Sequence, residues 1–521
     1  MLFSSYEFIF VFLPVVCFVF FILASYNYKN AIGFLVFSSL FYYGWWNPIY
    51  LILILSSMII NYRIGSILQK KNGNQKKYLI IGITLNLILL AYFKYAIFIV
   101  ENINIIFNFG FSIGKIILPL GISFFTFQQI TYLVDTYNKH TKKYGFLEYA
   151  LFVTFFPQLI AGPIVHHREM LPQFEDKRTF KPKLENLNVG LSIFVIGLFK
   201  KVFIADGIAQ YSSPIFDTVS AGQTVTFFEA WGGAIGYTFQ LYFDFSGYSD
   251  MAIGVARIFG IKLPINFFSP YKALSIIDFW RRWHITLSRF LKAYLYIPLG
   301  GNKKGTVNRY RNLLITMMLG GLWHGAGWTF VVWGALHGVY LIINHGWNKL
   351  KQSISLKINQ FQFVGKGFSW LITFFAVVIG WVIFRSADLN SAILFLKSMF
   401  GFYGISVPNG VAVRLGPVWE ILKYCGVGTY IGGGLHFILM YSWVITTTII
   451  VLMSPNTYQL FSKFDPALMP YAFNKKTNSF PKIKAINKWE PNNFWAIVSG
   501  VLAAICVLSL ARVSEFLYFQ F

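Results

Sequence analysis

Long apolar runs recur from one end of this chain to the other, and they restrict the solvent in which it can fold. Residues 8–24, 31–46, 50–60, 78–100 and 191–199 are almost free of charge, Lys94 being the one charged side chain within 78–100. Several approach the roughly 17–25 residues that a helix needs to span a hydrocarbon core. Lipid offers no hydrogen bonds to the backbone, so segments of this kind must close their own as helices. Charge is scarce throughout: 12% of the 521 residues are charged, against about 25% in ordinary soluble domains. The expectation is an all-α polytopic membrane protein with roughly a dozen transmembrane and re-entrant helices.

A net charge of +25 raises the question of nucleic acid, and the placement of the basic residues answers it. They sit in the connections, at 70–77, 139–143, 168–183, 303–311, 349–357 and 475–488, rather than on one face of a soluble domain. Basic loops mark the cytoplasmic side. Placing 70–77 in the cytoplasm and counting spans backwards puts the N-terminus outside, and counting forward returns 139–143 to the cytoplasm. The turn-rich loop 455–491 is expected on the cytoplasmic side, followed by a final span that ends outside at Phe521. Residues 1–7 have no basic region and no small-residue cleavage site follows Ala24, so the first apolar run reads as a retained helix rather than a signal peptide.

Cys17, Cys425 and Cys506 form no metal or disulfide spacing. Among the eight histidines, His140, His166, His167, His284, His324, His337, His345 and His436, none forms an i, i+4 pair, and no metal is expected. Pro119, Gly121, Pro157, Gly162, Pro163, Pro298, Gly300 and Gly301 interrupt apolar stretches in the middle of the chain. Irregular backbone at membrane depth survives only around a cavity or inside protein, so broken or re-entrant helices are expected there. Residues 369–384, 434–453 and 493–510 read as plainer spans. The whole chain, 1–521, reads as one membrane domain, with N-terminal spans in 1–115, a core in 116–345 and C-terminal spans in 346–521.

Polar groups inside apolar segments are costly, and each is a candidate for function. Gln128, Gln129 and Asp135 follow Leu-Pro-Leu-Gly-Ile-Ser-Phe-Phe-Thr-Phe, and Asp244 lies in Tyr-Phe-Asp-Phe-Ser-Gly-Tyr-Ser-Asp, which ends at Asp250. His324 stands in Leu-Gly-Gly-Leu-Trp-His-Gly-Ala-Gly-Trp with no acid or base nearby. A histidine in such surroundings is a neutral imidazole able to take a proton from an attacking hydroxyl. The glycines allow close approach of a substrate, and Trp323 and Trp328 wall off water. A buried histidine bonded between helices fits the local residues equally well. His284, in Asp-Phe-Trp-Arg-Arg-Trp-His-Ile-Thr-Leu-Ser, shares a helical face with Trp280 and Ser288 if the helix is continuous. Arg281 and Arg282 would reach donor phosphates or lipid headgroups, or serve as interfacial anchors. Asp244 and Asp250 are candidates to orient a histidine, to pair with an arginine, or to pack.

The segments at 118–128, 155–164 (Phe-Phe-Pro-Gln-Leu-Ile-Ala-Gly-Pro-Ile), 242–254, 279–288, 294–301 and 321–326, in this order, resemble the bacterial alginate O-acetyltransferase branch of the membrane-bound O-acyltransferase superfamily. The resemblance implies a bowl-like membrane fold around a central tunnel in which a cytosolic acyl donor, acetyl-CoA, meets a histidine. It also implies that His324, of Leu-Trp-His-Gly, is the catalytic histidine and that His284 is its companion in the tunnel. Trp280, Arg281, Arg282, Ser288, Trp323, Asp244 and Gln128 would line the tunnel or hold the donor. Members of this branch sit in the bacterial cytoplasmic membrane and serve O-acetylation of exported polysaccharides such as alginate or peptidoglycan, many through a separate extracytoplasmic transferase of SGNH type. A lipid-linked glycan carrier without acyl chemistry, and D-alanyl transfer to a cell-wall polymer, are the competing readings. Two departures stand out. Ala293 replaces the aspartate of a Leu-Arg-Asp-Tyr-Leu-Tyr run, and His166 replaces an arginine after Ala-Gly-Pro-Ile-Val.

Overall fold

The computed structural model describes residues 1–70, 73–354, 362–469, 488–510 and 516–517. Helix is nearly the whole of its regular structure. The exceptions among the described residues are a small parallel pair, Ser406–Pro408 with Gly428–Tyr430, and an isolated bridge between Pro264 and Leu468. Six helical stretches among the described residues are long and apolar enough to cross a bilayer: Glu7–Tyr26, Ile49–Gln69, Gln75–Phe107, Leu184–Ser220, Gly365–Arg385 and Gly434–Met453. The basic clusters at 349–357 and 475–488, much of the loop 455–491 and the chain end at Phe521 fall partly or wholly outside the described residues.

The remaining segments of the expected dozen are shorter or more polar, and the interior explains why. Phe227–Ile258, 32 residues long, is buried almost continuously from Ala230 to Ile258. Helices surround it on all sides, so it need not be apolar toward lipid and carries Asp244, Asp250, Gln240 and a series of glycines. Small residues let helix backbones approach closely in membranes. A Cβ on Gly254 would lie 2.6 Å from the carbonyl oxygen of Gly190, and one on Gly197 would lie 2.6 Å from that of Gly247. Two glycine pairs thus seat the helix Leu184–Phe199 directly against the central one.

The expected interruptions are real. The apolar stretch around Pro119 and Gly121 becomes a helix only at Ile122, because those two residues break it. Gly121 has φ +68, and a Cβ there would meet the Leu159 carbonyl oxygen at 2.6 Å. Phe155 ends one helix, Phe146–Thr154, and a single turn, Phe156–Leu159, follows.

Two hydrophobic cores result, and the central helix belongs to both. Its half from Tyr248 to Ile258 packs with the N-terminal spans, while its half from Ala230 to Phe245 packs with Trp333, Trp381 and their neighbours. One core draws on residues from Phe3 to Phe516 and the other on residues from Ile204 to Leu517, and the candidate site residues gather where the two meet.

Candidate active site

The strand-like stretch after the central helix brings Asn266 next to His284, and the local backbone there differs from the sequence expectation. Helix Ile276–Arg282 stops, and His284 takes a left-handed conformation (φ +42, ψ +54) before Ile285–Leu291 begins. Trp280, His284 and Ser288 therefore do not share one helical face. Left-handed backbone is costly for a residue with a Cβ, and here three bonds hold it. Asn266 O accepts from Ile285 N at 2.9 Å, Phe268 N donates to Arg282 O at 2.9 Å, and the His284 carbonyl accepts from Ser288 N at 3.0 Å.

The His284 ring is fully buried. Its Nδ1 lies 3.1 Å from Asn266 Oδ1, which also accepts from Thr286 Oγ1 at 2.9 Å. An amide oxygen can only accept, so Nδ1 carries the proton and Nε2 keeps its lone pair. Nε2 has no hydrogen-bond partner among the described residues. Thr286 Oγ1 in turn accepts from Ile164 N at 3.0 Å, which ties the 155–164 segment to the same site.

His324 is the last residue of the helix Gly305–His324. Its ring sits edge-on to Trp333 (5.3 Å), Phe384 (5.4 Å) and Trp323 (4.9 Å), with the His284 ring 6.1 Å away. Both histidines line one small cavity of about 20 Å³ with Asp244, Phe245, Trp283, Trp381, Phe384 and Leu517. That volume holds about one water molecule. Trp323 forms one wall of the site. It stacks on Phe127 at 5.6 Å, Phe127 stacks on Phe290 at 4.1 Å, and beyond this pile lies a cavity of about 1170 Å³ lined by Trp323, Arg168, Arg289, Lys292, Tyr294 and His166. Ala293, the other departure from the family pattern, lines this cavity too.

The remaining foreseen residues divide. Asp244 lines the histidine cavity, but its partner is neither a histidine nor an arginine. Lys201 Nζ donates to Asp244 at 2.6 Å and to Asp206 at 2.9 Å, and Leu517 N donates to Asp244 Oδ2 at 3.2 Å. Asp250 likewise goes to Lys200 (2.5 Å), Thr457 and Tyr458. The π-turn Lys200–Ala205 aims two adjacent lysines at two carboxylates of the central helix. Arg282 is buried, with Nε on Asp278 at 3.0 Å, whereas Arg281 is exposed. Neither arginine lines the large cavity. Trp280 Nε1 donates to His337 Nδ1 at 3.3 Å, and both rings pack on Trp333. Gln128 is buried with its amide unpartnered among the described residues, and Ser288 is half-buried outside both cavities. Among the described residues, no three His, Cys, Asp or Glu side chains gather as a metal set.

Sequence reasoning missed Asn266, Lys200 and Lys201, and noted Lys94 only as an interruption. Asn266 lies in Leu-Pro-Ile-Asn-Phe-Phe, a polar residue among apolar ones, and that signal was available.

A largely helical body with six candidate membrane spans among the described residues, and two buried histidines on one small cavity, defines a polytopic membrane protein with a polar centre. The profile of MBOAT, the membrane-bound O-acyltransferase family, matches residues 38–382. This chain belongs to that family; it is a multi-pass membrane O-acyltransferase. It is 48% identical to the peptidoglycan O-acetyltransferase of Helicobacter pylori, over 78% of this chain and 81% of that one. It is 43% identical to the probable alginate O-acetylase AlgI of Pseudomonas aeruginosa, over 77% and 75%. A teichoic acid D-alanyltransferase of Streptococcus thermophilus is 30% identical over 45% of this chain.

Proposed function

We propose that this protein moves an acetyl group from acetyl-CoA, on the cytosolic side of a bacterial cytoplasmic membrane, to a hydroxyl destined for an extracytoplasmic polysaccharide. His324 is the general base and His284 its companion. The observation that carries this reading is the pair of imidazoles on one small, aromatic-walled cavity, His284 having its Nδ1–H committed to Asn266 and its Nε2 unpartnered among the described residues.

In the reaction, the acceptor hydroxyl gives its proton to His324 as its oxygen attacks the thioester carbonyl. The carbon–sulfur bond then breaks, and the thiolate takes that proton from His324 to leave as the free thiol, which restores the neutral imidazole. Water is kept out by Trp323, Trp333, Trp381 and Phe384, so the thioester is spared hydrolysis. The large cavity beside Arg168, Arg289 and Lys292 is the donor's approach, with these cations in place of Arg281 and Arg282 as partners for its phosphates. Both chain termini face the outside, and an SGNH-type transferase there passes the acetyl group to the glycan. The relatives' names favour peptidoglycan over an alginate-like polymer, at 48% against 43% identity.

The test is acetyl transfer by the purified protein in lipid nanodiscs supplied with labelled acetyl-CoA and no gradient, together with acetyl content of cell-wall glycan. His324→Ala should lower transfer by at least about 100-fold, the scale of general-base catalysis, with normal insertion in the membrane. Undiminished transfer in that variant rejects the base, and absence of transfer by the unaltered protein favours a carrier.

A further inference from the structure

The helix that ends on His324 has its last carbonyls held by another part of the chain. Lys94 Nζ donates to Trp323 O at 2.5 Å and to His324 O at 3.0 Å, and Tyr95 hydroxyl donates to Leu322 O at 2.9 Å. These are the carbonyls that a helix C-terminus leaves without intrahelical partners. A cation is also the favourable charge at that end of a helix. The two donors are adjacent in sequence and both reach the same helix end because the π-turn Ala91–Tyr95 interrupts the α-helical stretch there. Lys94 also lies 5.9 Å from the Trp323 ring centroid. Its helix and the histidine helix leave basic connections and meet after similar lengths, Gln75 to Lys94 and Gly305 to His324.

Lipid-facing use does not explain this lysine. A charged group within an apolar span costs about 2.5–3.5 kcal/mol on insertion scales, and a hydrophobic residue would suit a span that only crosses the membrane. Lys94 also lines a second cavity, of about 430 Å³, with Met1, Leu2, Tyr42, Trp46 and Gly121. The large chamber beyond Trp323 does not include Lys94. After His324 the chain turns through Gly325, whose backbone is extended (φ −157). With glycine next in sequence, the histidine's position depends on what holds its own carbonyl.

We propose that Lys94 is a positioning residue for acyl transfer, clamping the Trp323 and His324 carbonyls so that the imidazole meets the reacting hydroxyl in one orientation. The inference rests on His324 acting as the base. Lys94 acts through the histidine's backbone and does not itself exchange a proton with substrate, so a permanent cation able to bridge the two carbonyls replaces it.

The experiment measures acetyl transfer from acetyl-CoA by the full chain in nanodiscs, with kcat and KM separated and the pH profile recorded. Lys94→Met should lower kcat by at least about tenfold and leave KM for acetyl-CoA within about twofold, as expected for loss of an interaction that matters only in the transition state. Lys94→Arg should restore most of kcat with the pH profile unchanged in shape. A wild-type kcat in Lys94→Met, or a pH limb abolished by Lys94→Arg, overturns the proposal. If Lys94→Met fails to insert, Tyr95→Phe supplies the test: it should lower kcat by about threefold at constant KM, and an unchanged kcat overturns the clamp. Should His324→Ala remain active, the base assignment fails instead, which separates the two outcomes.

Discussion

Two helices that touch each other show how this protein divides its surroundings. Gly434–Met453 buries Met440, Val444, Thr447 and Val451, a single stripe at helical spacing, and leaves Leu435, Ile438, Ile445, Ile449 and Met453 outward. Phe227–Ile258 is buried almost continuously from Ala230 onward and carries acids, one glutamine and glycines. The outer helix is apolar where it meets lipid and needs only one face for packing. The inner helix has protein as its solvent, so Asp244, Asp250 and Gln240 are bonded to other side chains, and Gly247 and Gly254 mark backbones pressed close. Polarity in this chain therefore increases toward the site, the reverse of a soluble enzyme's gradient.

The sharpest way to break that contrast is to remove a partner from the inner helix. Lys201→Met leaves Asp244 and Asp206 buried without their cation, and losing one member of a buried ion cluster costs about 3–5 kcal/mol. Thermal unfolding in detergent should show a large fall in Tm, and pairing the change with Asp244→Asn should recover part of it. An unaltered Tm would mean that the two carboxylates are satisfied by other groups and that the centre is wetter than its packing implies.

A smaller effect is expected one bond from the chemistry. Asn266→Leu deprives His284 Nδ1–H and the Thr286 hydroxyl of their shared acceptor, an omission worth about 1–3 kcal/mol of stability for buried donors. It also frees the His284 tautomer, so transfer should drop by about tenfold, equivalent to about 1.4 kcal/mol in the barrier. Stability lost without any change in transfer would remove His284 from the reaction and leave it a structural histidine.

The outer helices were the legible part of the sequence, since run length and hydropathy alone set Glu7–Tyr26 and Gly434–Met453 close to their observed bounds. Breaks at Pro119, Gly121 and Pro157 were legible too, because proline and glycine act locally. The inner partnerships were not. Lys201 reaches Asp244 and Lys94 reaches His324 across long stretches of chain, and no spacing rule encodes a contact of that kind. His284 misled in a specific way: Trp280, His284 and Ser288 have helical spacing, yet the bonds to Asn266 and from Phe268 hold the backbone left-handed between two short helices. Local propensity there yields to partners brought in from the preceding loop. The motif that placed His324 could name the residue, but not the lysine that holds its carbonyl.

The smallest effect tests the outer face. Ile445 and Ile449 are exposed on Gly434–Met453, and if acyl chains cover them, exchanging either for leucine trades one apolar contact with lipid for another. Stability should move by less than about 0.5 kcal/mol, the range of substitutions away from packed features, and transfer should not change. Tryptophan scanning along the same face, read by transfer and by size in detergent, makes the result decisive. Lipid accepts a larger side chain at every outward position, whereas a protein surface rejects it at the positions it covers. A periodic loss of activity at Ile438, Ile445 and Ile449 would therefore place another polypeptide against this helix, and its outward apolar stripe would belong to the inner class of surface despite its composition.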